Sequence, residues 1–478
     1  MSKIIKILIF PVLFILLAAK PIPISDARQL ANIDPNLNYI LVSDIDMSGW
    51  QPIDFYGELD GQNHSIKNLR SSLFRTLDKA AVRNLKIEDS IIYGQGALAA
   101  AAINSELEHI RFISGKINGS GYVGGLIGKG ENTIIRNCLS DGTVSAFQTG
   151  KETVLGGLAG LLSDCTVVDS VSSGAPILFA GRGNIGGFVG RASNTVFKGC
   201  HSSRDVKNRG NAGGFAGFLE EKALLIACYA SGDVYGGKAA GGFAGIVQGN
   251  HISENANHSI RMIQCHSTGN VEADTAGGFA GDISYAAVSA SSAEGDVSGL
   301  NAGGFVGQLT NKSRISNSCA LGDVFGENTS GGFVGIITLG SGIEYAFSAG
   351  NVKGKGDTGG FAGTIEDTGS PTTLFGCLSF AMWVSSCKDG TLNRLVGKMD
   401  HEGVNNCYAY LGSTVAAGER LLHISPNAYG PNGGDFNNTT IGNILNRLGW
   451  SSHYWSFDWE NNESNNDLRK PRIILVDK

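Results

Sequence analysis

Gly213 to Gly245 reads GGFAGFLEEKALLIACYASGDVYGGKAAGGFAG, and this stretch holds one full repeat together with the start of the next. Its opening pattern is two glycines, an apolar residue, a small or apolar residue and a third glycine. It begins at Gly124, Gly156, Gly186, Gly213, Gly241, Gly277, Gly303, Gly331 and Gly359. Copies lie about 29 residues apart on average, a period characteristic of stacked repeats. A second pattern rides at the same period: an apolar residue, two variable ones, a small one, then a turn ending in Gly-Asp-Val or a near variant. IIRNCLSDGTV, LIACYASGDV, MIQCHSTGNV and ISNSCALGDV are examples. Helical repeats need glycine-free stretches with apolar residues at i, i+3, i+4 and i+7, and the glycine pairs forbid that. Short strands and bends fit instead. A coil of about 28 residues holds three strands of roughly five plus three bends, and coils stacked in register form parallel sheets around a shared interior. The expected fold is all-β, a right-handed parallel β-helix. The residue after each glycine pair is Leu126, Leu158, Phe188, Phe215, Phe243, Phe279, Phe305, Phe333 or Phe361. Stacking would place these side chains about 4.8 Å apart as a core ladder.

Composition agrees with a packed exported protein. Glycine supplies 69 of 478 residues and proline only 10, which excludes collagen. Hydrophobic residues at 42% can build a core, so disorder is excluded. A net charge of -6 with no basic block leaves no basis for a nucleic-acid partner. Lys3 and Lys6 lead into an apolar run from Ile7 to Ala19, which reads as a signal peptide over residues 1–19, with no membrane span after its removal. Residues 20–110 then form an N-terminal cap and first coils, 111–410 the repeats, and 411–478 a final coil and Trp-rich cap. Ser25 or Asp26 would cap a short helix burying Ala27, Leu30 and Ile33. Near the other end Thr440 would cap a helix with Ile441, Ile444, Leu445 and Leu448 on one face, closed by Gly449.

These residues resemble the GLUG-motif repeat proteins, bacterial exported and surface β-helices of adhesin-like character. The GGFAG-type copies, YILVSDIDMSGWQPIDFYGELDGQNHSIKN from Tyr39 to Asn68, and LGWSSHYWSFDW from Leu448 to Trp459 followed by KPRIIL carry the likeness. Similar repeats accompany immunoglobulin-A-cleaving zinc metallopeptidases as non-catalytic regions. Here His401-Glu402 is followed at the fourth place by Asn405 rather than histidine, so the zinc motif fails.

Several constellations recur with the coil. One position reads Cys138, Ser170, Cys200, Cys228, Cys265, Ser291, Ser318, Ala346, Cys377 and Cys407, always small, which predicts a tight interior site with free thiols. The apolar residue three places earlier also reads as interior, and strict strand alternation cannot bury both without a bulge. The position after the cysteine site should point outward and reads Leu139, Val171, His201, Tyr229, His266, Ser292, Cys319 and Phe347. Of these, His201, Tyr229, His266 and Phe347 are the candidate binding residues, an aromatic and histidine stripe able to stack on sugars or meet a partner. After the turn glycine come Thr143, Asp205, Asp233, Asn270, Asp296, Asp323 and Asn351, best read as turn residues. Arg136, Arg204, Arg261 and Arg314 read as a solvated stripe. DIDMSG from Asp44 imitates half a calcium loop, but Phe55 stands where its glutamate belongs. The loop NHISENANHS from Asn250 and the Trp450, Trp455 and Trp459 group read as a surface loop and an end cap.

The expected function is a non-enzymatic secreted or cell-surface bacterial protein presenting a rigid face to a host or environmental glycan or surface protein. No metal, cofactor or catalytic residue is expected. The alternative is a polysaccharide lyase or glycoside hydrolase, which would need several acids and an arginine converging in one groove; a bare spacer would bind nothing.

Overall fold

Each glycine pair that opens a repeat stands where two sheets meet, and space explains its identity. In the computed structural model a Cβ on Gly213 would lie 2.0 Å from the Ala216 carbonyl oxygen, and one on Gly214 would lie 2.1 Å from that of Gly242, one coil on. Neither residue has a positive φ, so close backbone approach, rather than left-handed geometry, demands glycine here. The structure describes residues 20–147, 152–251, 258–366, 369–387, 390–400 and 402–456, and the backbone of 472–473. The expected signal peptide, His401, Trp459 and most of the polar loop after Asn250 fall outside these residues.

About 12 coils of about 28 residues stack into a parallel β-solenoid. Their strands form a 39-stranded and a 17-stranded sheet, with a three-stranded sheet made by Ile91–Ile92, Lys116–Gly119 and Thr143–Ala146. Equivalent residues pair from coil to coil: Val189 with Ala216, and Ala216 with Ala244. The rings stack as expected. From Phe188 to Phe361, neighbouring centroids lie 4.7, 4.9, 5.0, 4.7, 4.8 and 4.9 Å apart with planes within 6° of parallel. All seven are fully buried, in one hydrophobic core that runs from Ile24 to Val415.

Three strands per coil was too simple. A left-handed residue precedes every cysteine-site position: Asn137, Asp169, Gly199, Ala227, Gln264, Ala290, Asn317, Tyr345, Gly376 and Asn406, with φ between 48° and 63°. This corner breaks the alternation, so that Leu225 and Cys228, three apart, both reach the interior. The N-terminal coils carry Leu85 and Ile110 at the cysteine site, so larger side chains fit there before the ring ladder begins.

Both expected helices are present. In α1 (Ala27–Ala31) Asp26 accepts from Gln29 N at 2.9 Å and Leu30 is buried. For α2 (Ile441–Leu448) the cap differs from expectation, because Thr440 makes no side-chain cap bond. Asn437 Oδ1 instead accepts from Thr439 N and Thr440 N at 2.9 and 3.0 Å, and Gly449 closes the helix at φ 75°. The buried face of α2 joins Phe347, Leu378, Tyr408, Trp450 and Trp455 in a second cluster. The helix therefore packs against outward-pointing residues of the last coils. No helix among the described residues is long and apolar enough to cross a membrane.

Candidate functional site

The outward stripe is paired in the expected register, Leu139 through Val171, His201, Tyr229, His266, Ser292 and Cys319 to Phe347. Its exposure is not what the sequence suggested. Phe347 is 1% exposed, its ring 5.6 Å from Trp455 and 5.5 Å from Phe380. The direction was right, but the C-terminal cap covers the position. His201 and Tyr229 are half-buried with rings 4.9 Å apart, and Tyr229 Oη lies 3.1 Å from Thr268 Oγ1. His266 Nδ1 meets Ser292 Oγ at 2.8 Å, and Nε2 of both histidines is buried without a hydrogen-bond partner among the described residues. Burial lowers the His201 pKa and pushes that of His266 down to about 4. Such a surface resists protonation and offers little free edge to a ligand.

The thiols stand as expected. All nine cysteines are unpaired, eight of them buried, with Cys387 exposed. Burial pushes the Cys138 thiol up to about 12 and Cys165 to about 11, and raises Cys200, Cys228 and Cys377 well above the usual value. They act as small core residues. Arg204 corrects the reading of a solvated arginine stripe. It is fully buried, donating to Ser172 Oγ at 2.8 Å, Ala175 O at 2.9 Å and Ser140 O at 2.9 Å, and burial lowers its pKa to about 10. Asp44 and Asp46, which open the calcium-like stretch, accept from Ser65 N and Ser48 N at 2.9 and 3.0 Å.

The ladder after the turn glycine has a role its spacing did not reveal. Each side-chain Oδ1 accepts the backbone N–H of the next coil: Asp233 N on Asp205 at 2.9 Å, Asn270 N on Asp233 at 2.8 Å, Asp296 N on Asn270 at 2.9 Å. Asp323 N on Asp296, Asn351 N on Asp323 and Trp383 N on Asn351 follow at 2.8, 2.7 and 3.1 Å. Asp and Asn share that oxygen, which is why they interchange along the ladder.

Beside this ladder lies a groove of about 640 Å³. Asn270, Asp296, Asp323 and Asn351 line it together with the outward residues of the following strand, Tyr235, Glu272, Ser298, Phe325, Lys353 and Ser385, and with Trp383. Buried Val271, Val297, Val324 and Val352 separate the two rows, so strand alternation turns both toward solvent. Trp383 is 46% exposed. Lys207 sits over the Tyr235 ring at 5.7 Å and Lys355 over Phe325 at 5.6 Å, which occupies one face of each. Carboxylate and amide oxygens beside an open indole make a surface suited to a polyol: apolar sugar faces stack and hydroxyls donate. The sequence offered a signal for this row, the second residue after each ladder Asp or Asn, but its mixed identities hid it.

Two half-buried titratable groups act in opposite directions on stability. His266, with a pKa near 4 against an ordinary 6.5, stays neutral in the fold; its contribution is present above pH 6.5 and lost as pH falls toward 4, by about 2–3 kcal/mol. Asp282 is raised by burial to about 6 from 3.8, against an opposing pull from Lys238. Its contribution is present below 3.8 and lost as pH rises through 6, again by about 2–3 kcal/mol. Urea midpoints between pH 6.5 and 4 should therefore change little for the native chain, rise on acidification for His266→Gln, and fall for Asp282→Asn. Parallel profiles for all three would show that neither group titrates this way.

No family model matches the chain. It is 33% identical over 181 residues to the immunoglobulin A1 protease of Streptococcus sanguinis, a match covering 35% of this chain and 10% of that protein. The Streptococcus pneumoniae R6 protein of the same name is 29% identical over 178 residues, covering 35% and 9%. Halomucin of Haloquadratum walsbyi is 28% identical over 196 residues, covering 38% and 2%. The chain thus spans about a tenth or less of the length of these curated relatives. A solved Bacteroides ovatus chain carrying an immunoglobulin A1 protease name aligns over 95% of this chain and 92% of its own at 15% identity, with a TM-score of 0.22. With its stacked coils, the chain is a repeat β-helix protein.

Proposed function

We propose that the protein is an exported, non-enzymatic bacterial β-helix of adhesin-like character that binds a glycan in the groove beside the Asp/Asn ladder. The observation that carries this reading is the exposed Trp383 next to a row of oxygen acceptors held in place coil after coil. Rigid aromatic surface with positioned polar groups favours sugar recognition at small entropic cost. The GLUG-type identity of the repeats rests on the sequence likeness alone; the secreted or surface location rests on the apolar leader, and matches to named immunoglobulin A1 proteases and halomucin support it. Glu272, Asp296 and Asp323 bring carboxylates into the same groove and keep the hydrolase or lyase reading in view. Two facts weigh against it: Oδ1 of Asp296 and of Asp323 is engaged by backbone N–H groups, and no arginine among the described residues lines the groove.

A glycan array on residues 20–478, with a reducing-sugar assay in parallel, tests the proposal. Saturable binding without product is expected, and Trp383→Ala should weaken it at least about tenfold with little change in melting temperature, since stacking platforms contribute much at exposed sites. Release of new reducing ends would replace the adhesin reading with the enzyme. Undiminished binding by Trp383→Ala would move the site elsewhere.

A further inference from the structure

We infer that the groove selects a glycan without acid groups, a neutral or amino-sugar chain laid along the solenoid axis, and rejects uronates and sulfated sugars; this rests on the glycan reading above. Among the described residues three carboxylates, Glu272, Asp296 and Asp323, line the groove with Lys353, while Lys207 and Lys355 lie over its Tyr235 and Phe325 rings, Lys355 being paired with Glu327. Both aspartates are exposed, and each is held by the next coil's N–H on Oδ1, while Oδ2 has no hydrogen-bond partner among the described residues. The fixed oxygens therefore accept, and a ligand that donates through hydroxyl or ammonium groups meets them. An acidic chain would instead set its own charges against theirs. Axial spacing adds the second argument. Successive coils repeat at 4.7 to 5.0 Å along the ring ladder, a rise comparable to one pyranose ring in an extended chain. A polysaccharide along the axis thus presents one sugar to each coil, and an acidic one would repeat the repulsion at Asp296 and again at Asp323.

The ladder itself supplies the test. Asn270 and Asn351 already do with an amide oxygen what Asp296 and Asp323 do with a carboxylate, so Asp296→Asn with Asp323→Asn removes charge and keeps the acceptor. Chitosan and neutral glucan oligosaccharides, polygalacturonate and heparin are titrated against the native chain and this double variant, at low and high salt, with thermal melts as the folding control. The native chain should bind the neutral or amino oligosaccharides and exclude polygalacturonate and heparin. The double variant should melt as the native chain does and gain at least about tenfold for polygalacturonate at low salt. Tighter native binding of heparin or polygalacturonate than of the neutral sugars would overturn the selectivity and leave the glycan groove standing. An unchanged preference in the double variant would remove these carboxylates as its cause. Binding of no glycan at all would overturn the glycan reading itself.

Discussion

Phe279→Ala is expected to lower the unfolding free energy by about 3–5 kcal/mol, among the largest effects a single substitution in this chain can have. The ring is fully buried between Phe243 at 5.0 Å and Phe305 at 4.7 Å, with planes 3° and 6° from parallel. Removing it loses the transfer free energy of a phenyl group, two stacking contacts of about 0.5–1.5 kcal/mol each, and leaves a cavity. Parallel coils cannot collapse into that cavity, because hydrogen bonds such as Phe279 N to Phe305 O at 2.8 Å hold their separation. Phe279→Leu refills part of the space and should recover roughly half of the loss. Denaturant unfolding of both variants measures it; a loss under about 1 kcal/mol for alanine would mean that the ladder is not the rigid core of the solenoid.

Gly242→Ala should destabilise by a similar amount, about 3 kcal/mol or more, although it adds a single methyl group. The new Cβ would lie 2.2 Å from Gly278 O and 3.0 Å from Ser267 Cβ. A carbonyl of the neighbouring coil cannot rotate away without breaking the parallel ladder, so relief requires two coils to part. Gly442→Ala, inside α2, is the internal control. Nothing lies within 4 Å of its added Cβ, and alanine there should stabilise by about 0.5–1 kcal/mol through helix propensity and a less disordered unfolded chain. The same chemical change thus carries opposite signs, decided by what stands opposite the glycine. Thermal or urea midpoints of the two variants moving in the same direction would refute the account.

Much of the fold was legible because it is periodic. Glycine pairs and the residue that follows them recur with the coil, and stacking in register turns sequence spacing into a ring ladder without further information. The buried thiol site was legible for the same reason: from Cys138 onward the position holds only Cys, Ser or Ala, whereas Leu85 and Ile110 fill it in the coils before the ring ladder. Where alternation failed, between Leu225 and Cys228, the left-handed Ala227 was the cause. Alanine has no special preference for that geometry, so its residue type announced nothing. Arg204 misled in the opposite way. Among other arginines it looked like surface charge, whereas backbone and serine oxygens of the two preceding coils gather around it in the interior.

By itself the sequence determined the coil length, the parallel stacking, the ring ladder and the two helices, since each depends on residues within one repeat and its neighbours. Only the tertiary structure decided which outward positions are open. Phe347 and the half-buried histidines lie on a face that alternation correctly turned outward. The Phe347 end is closed by a cap from far along the chain, with Trp455 Nε1 reaching Asn317 Oδ1 at 3.3 Å across 138 residues. The groove beside Asp296, Asp323 and Trp383 exists because turn residues and strand residues from successive coils meet side by side. Spacing along a chain specifies direction, whereas exposure depends on what distant segments cover, and that is a property of the folded surface.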